Sequence, residues 1–128
     1  RCACCCFMSP HTGAWPAPDS PATSTGIYGL ATNTVLIDRR STYTRKRCAL
    51  GHELVPWRHG DDTSNGCNGG KLEQRCRRET AILLIDPAEY ALAERMYDSN
   101  PYQIAAELNV TVQVIEDYKN WLHDSVAA

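Results

Sequence analysis

Apolar residues follow two different spacings along this chain. Between residues 27 and 38 they form two short β-rich runs, Ile27-Tyr28-Gly29-Leu30 and Val35-Leu36-Ile37-Asp38, with Thr32-Asn33-Thr34 between them. Runs of this kind around turn residues predict an antiparallel hairpin, whose first strand Gly29 weakens. From residue 45 onward the spacing lengthens to three and four, which predicts helices over residues 45–55, 71–85, 87–97, 101–108 and 111–123. In the second of these, Leu72, Cys76, Thr80, Leu83 and Leu84 trace the stripe. Ser41, Thr42 or Thr44 can cap the first helix, and Pro87 and Pro101 stand where a missing N–H costs little. Pro56 removes one helical hydrogen bond and clashes with the preceding turn at a cost of roughly 3 kcal/mol, so the first helix is expected to kink or end near Val55. Residues 60–70 form a polar loop rich in Gly, Asp and Asn. Strands followed by helices predict an α+β fold, a small antiparallel β-sheet packed on a helical core with further helices at the C-terminal end.

Composition sets the outer limits of this picture. Residues 1–25 carry Pro10, Pro16, Pro18 and Pro21 among small and polar residues and read as a loosely held tail, which leaves residues 26–128 as one domain. Of seven cysteines, Cys2, Cys4, Cys5 and Cys6 crowd the first six residues, without the paired spacing of a zinc clamp or a disulfide framework. Reduced thiols of this kind suit an intracellular protein, and no apolar run approaches the roughly 20 residues of a membrane span. A formal charge of -2 gives no global reason to expect nucleic acid as a partner.

The chemistry is concentrated in Arg47-Cys-Ala-Leu-Gly-His52-Glu53-Leu-Val-Pro56-Trp57-Arg-His59. The pattern H-E-x-x-H places two imidazoles one turn apart on a helix to bind zinc, with the glutamate between them as general base. His52 and Glu53 match it, and Pro56 replaces the second histidine with a residue that has no donor atom. Two substitutes remain conceivable. His59 shares the face of His52 but lies about 10.5 Å along a continuous helix, so it can serve only if the chain folds back at Pro56. Cys48 lies one turn before His52 and reads more simply as a small core residue. Trp57, beside the loop, is a candidate wall of a substrate cleft or a cap on the helix end.

Taken with Leu36-Ile37-Asp38-Arg39-Arg40 before it, Gly60-Asp61 after it, and Glu73 to Ile85 beyond, this stretch resembles the ImmA/IrrE family of small zinc metallopeptidases, in the compact form of actinobacteria and their phages. The resemblance covers about residues 26–122, with Thr80 in place of a small apolar residue. It implies a zincin-like helical core and a cytoplasmic endopeptidase acting on a regulatory protein, such as a phage or mobile-element repressor. It also implies Zn2+ held by His52 and by Glu73, with Glu79 as fallback, and Glu53 as the base that takes a proton from zinc-bound water. Glu73 and Glu79 stand about 600° apart around a helix and cannot both serve. Two strong ligands without a third bind zinc weakly. Two versions follow: an active enzyme in which solvent, His59 or a substrate group fills the place of the second histidine, and a degenerate domain that keeps the fold and binds a partner without cutting it.

Residues 101–115 offer a reading of a different class, a helix-turn-helix with its turn at Asn109 and second helix from Thr111. A DNA reader needs basic or amide side chains at that helix start, and here stand Val112, Gln113, Val114, Ile115, Glu116 and Asp117, with Lys119 the one base. No residue is therefore assigned to nucleic-acid binding.

Overall fold

The computed structural model describes residues 26–29, 33–60 and 70–128, with side chains from Asn33 onward; the expected tail, residues 1–25, and most of the polar loop lie outside the described residues. Seven elements follow in order: β1 (Gly26–Gly29), β2 (Thr34–Ile37), α1 (Tyr43–His59), α2 (Gly70–Leu84), α3 (Pro87–Met96), α4 (Pro101–Glu107) and α5 (Val112–Ala127).

The α+β expectation is overturned, because the chain is mostly helical. Among the described residues, β structure is confined to β1 and β2, which pair only with each other, Ile27 opposite Leu36 and Tyr28 opposite Val35. They make a short ribbon beside α1 and no sheet layer. The physical reason is length: each apolar run is four residues long, bounded by glycine or turn residues, and a pair of such strands cannot bury a face of its own.

The first helix also departs from expectation. It does not end near Val55 but runs through Pro56 to His59. Proline at position 56 has no N–H to offer the carbonyl of His52, yet the helix continues through it with Val55 and Pro56 both buried. What stops the helix is Gly60, at φ 67°, whose N–H reaches the carbonyls of Pro56 and Trp57. At the other end the Thr42 hydroxyl accepts from the N–H of Arg45.

Cys76, Thr80 and Ala81 form the buried stripe of α2, while Leu83, expected in that stripe, is half exposed. Thr80 tolerates burial because its hydroxyl donates to the Cys76 carbonyl at 2.6 Å. The core joins the end of α2 to the three helices beyond it: Ala81, Ile85, Tyr90, Ala93, Ile104, Val114, Ile115 and Tyr118, with Cys48 from α1. Tyr118 packs between Tyr90 and Trp121, ring centroids 4.8 and 5.3 Å away. α1 comes close to α2 at Gly51, where an added Cβ would lie 3.2 Å from Thr80 Cγ2 and 3.3 Å from Leu84 Cδ1. That contact sets the depth at which the next residue, His52, meets α2.

Candidate functional site

His52 reaches across the α1–α2 seam. Its Nε2 lies 3.3 Å from Glu73 Oε2, in the first turn of α2, and its Nδ1 lies 3.4 Å from Glu53 Oε1. The ring therefore sits between two carboxylates. The three side chains differ in exposure, 24% for His52, 11% for Glu53 and 30% for Glu73, so Glu53 is the most enclosed of them. Burial alone favours the neutral imidazole, but the hydrogen bond to Glu53 and the charges of Glu73 and Glu53 outweigh it and hold His52 above its ordinary value of 6.5.

Two zinc ligands at about 2.0 to 2.1 Å in a tetrahedral arrangement stand roughly 3.3 Å apart. The separation of His52 Nε2 and Glu73 Oε2 is 3.3 Å, that of a direct imidazole–carboxylate contact, and it also matches the spacing of two ligands of one zinc ion. A carboxylate on the far ring nitrogen, as Glu53 is here, is the usual orienting partner of a metal-bound histidine. The third donor is what the described residues lack, since no three His, Cys, Asp or Glu side chains among them gather in a way that could hold a metal ion.

The fallback ligands are engaged elsewhere. Because α1 continues past Pro56, the condition under which His59 could substitute is not met. His59 Nε2 instead meets both oxygens of Glu79, at 3.0 and 3.1 Å. Cys48 is buried and its sulfur accepts the N–H of Thr111 at 3.4 Å, at the start of α5. Trp57 is half exposed, and its indole N–H donates to Asn33 Oδ1 at 2.8 Å, which ties the end of α1 to the residue before β2.

The helix-turn-helix region is anchored to the rest of the body. Val114 and Ile115 are buried, and Asp117 takes a forked contact from Arg77 of α2, at 3.2 and 2.7 Å. Lys119 donates to the Ser99 carbonyl. What α5 leaves exposed in its first turns is Gln113 and Glu116, a poor surface for phosphate.

Two structural contacts, of Arg47 in the His-Glu motif and of Arg77 in a basic helix segment that reads as a solvated face, follow from no sequence pattern. Arg47 donates to the carbonyls of Leu108 and Asn109 at 2.9 and 2.8 Å and to that of Leu84 at 3.3 Å, and Arg77 makes the pair with Asp117. Both partners lie far along the chain and follow no local spacing, so nothing in the sequence pairs them. A family-model scan gives no match to this chain, and neither the curated proteins nor the solved structures contain a match.

Proposed function

We propose that this chain is a peptidase-type domain resembling the ImmA/IrrE zinc enzymes, in which the metal centre has been reduced to two ligands and the domain engages a regulatory protein without cutting it. The observation that carries this reading is the meeting of His52 Nε2 and Glu73 Oε2 at 3.3 Å across the α1–α2 seam, with Glu53 on the other edge of the ring. The loss of hydrolysis follows from Pro56, which is buried within a continuous helix where the resembled pattern has its second imidazole. A repressor-like protein of a phage or mobile element is the class of partner the resemblance implies, with bacterial cytoplasm as the setting.

Zinc binding to the full chain tests this directly. The unaltered protein is expected to take up zinc weakly and below one equivalent, and Pro56→His to bind one equivalent tightly, in a manner lost on adding His52→Ala. Tight stoichiometric zinc in the unaltered chain would restore the active reading. A Pro56→His protein that folds yet binds no metal would remove the peptidase ancestry altogether.

A further inference from the structure

The net charge of -2 conceals an uneven distribution along the chain. Nine of the fifteen acids lie from Glu79 onward, with only Arg95 and Lys119 against them. From Arg39 to Arg47, by contrast, five of nine residues are basic and none is acidic. Arg47 turns inward to backbone carbonyls, and the other four stay outside. Arg39, Arg40 and Arg45 are exposed and Lys46 is partly so, and among the described residues Arg39, Arg45 and Lys46 make no ion pair. Asp38, the nearest acid in sequence, is already engaged, accepting from the Arg40 N–H at 2.9 Å and from its Nε at 3.4 Å. The Arg40 N–H, and after it the charges of Arg40 and Lys46, hold the Asp38 carboxyl below its ordinary value of 3.8 against desolvation. Lys46 in the helix and Arg40 in the turn before it thus act on one small region.

These cations do not serve the helix they adorn. Arg45 and Lys46 lie in the first turn of α1, which has no acid, at the positive end of the helix dipole, where cations are disfavoured. Tyr43, the first residue of α1, stands 68% exposed among them. Single-stranded nucleic acid is held by this combination, cations taking the phosphates while a base stacks on an exposed aromatic ring.

We propose that the turn before α1 and the first turn of that helix form a site for single-stranded nucleic acid, with Arg39, Arg40, Arg45 and Lys46 on phosphates and Tyr43 under a base. This goes beyond the proposed function and does not depend on it, since no residue of the α1–α2 seam takes part. It is also separate from the C-terminal helical pair, whose first exposed residues suit phosphate poorly.

Fluorescence anisotropy of a labelled oligothymidylate of about 12 nucleotides with the full chain tests it. Binding is expected at low salt, with log K falling against log salt at a slope of about -3, the value for four phosphates of a single strand. Replacing Arg39, Arg45 and Lys46 together by Gln should reduce that slope by about 2, whereas Lys71→Gln with Arg78→Gln, on α2, should leave it unchanged. Tyr43→Ala should weaken binding by about 5- to 100-fold at fixed salt. Because the cations oppose the helix dipole, the triple variant is expected to unfold at no lower urea concentration than the parent, which separates lost binding from lost fold. The proposal is overturned if binding is absent, if the triple variant retains it, or if the α2 pair of substitutions removes it equally. A triple variant markedly less stable than the parent also overturns it, because the cations then serve the fold. Displacement of the oligonucleotide by an equal or lower concentration of polyglutamate of matched charge overturns it too, and marks the surface as one for an acidic protein segment.

Discussion

At the scale of single residues, the decisive contacts are those His52 makes with two glutamates, one from its own helix and one from the next. They have a thermodynamic consequence whose sign is fixed. The folded chain holds His52 above its ordinary value, against the opposition of burial, because Glu53 and Glu73 favour the charged ring. A folded-state value raised above the unfolded one means that the native state binds the proton more tightly. The resulting stabilisation is fully present below the unfolded value of 6.5 and is lost as pH rises through the folded value. In metal-free buffer, the stability advantage of the parent over His52→Gln is therefore expected to shrink as pH is raised from about 6 to about 8.5 in urea unfolding. An advantage that stays constant or grows over that window would contradict the proposed contacts. The resemblance named His52, Glu53 and Glu73 together, with Glu79 as the alternative acid, and the structure puts Glu73 rather than Glu79 beside the ring of His52. The Glu53 contact with Nδ1 was not legible, since it depends on a side-chain rotamer that spacing does not specify.

At the scale of elements, helix placement could be read from periodicity and caps, while the end of α1 and the absence of a sheet layer among the described residues could not. Asp86 and Asn100 cap α3 and α4 through their side-chain oxygens, with Pro87 and Pro101 just inside, as the local residue types lead one to expect. The strands were legible as short runs, but their number decides whether a sheet layer exists, and two runs of four residues make only a ribbon. Pro56 was read through its local cost, yet tertiary burial overrides it, and α1 continues for three more residues. The cost is still present and is measurable. Pro56→Ala gives the His52 carbonyl an N–H to meet, for a gain of up to about 3 kcal/mol, and removes two buried ring methylenes at about 0.8 kcal/mol each. A net stabilisation of about 1 to 2 kcal/mol is expected, seen as a higher urea midpoint at unchanged slope. Net destabilisation would mean that the packing of the Pro56 ring is worth more than the helix loses by having it.

At the scale of the whole molecule, side-chain contacts tie the C-terminal helical pair to the helices that carry the candidate site. Arg77 on α2 holds Asp117 on α5, and Cys48 on α1 receives the N–H of Thr111 at the α4–α5 turn. Arg47 joins the most distant pieces: five residues before His52, it donates to Leu108 and Asn109 at the end of α4 and to Leu84 at the end of α2. A guanidinium suits this place because the last carbonyls of a helix are left without intrahelical partners and carry the negative end of its dipole. Each charge-assisted bond contributes about 1.5 to 3 kcal/mol, though bonds sharing one donor group do not add. Arg47→Met keeps the aliphatic stem and leaves three carbonyls to find water, so a loss of about 2 to 4 kcal/mol is expected, a large share of the 5 to 15 kcal/mol typical of a domain. If the tie works as the contacts indicate, amide hydrogen exchange should quicken first around residues 108–112 and at the end of α2, ahead of global unfolding. A loss below about 1 kcal/mol, with exchange at the α4–α5 turn unchanged, would show that the helical pair is held by its apolar core alone and that Arg47 merely rests against it.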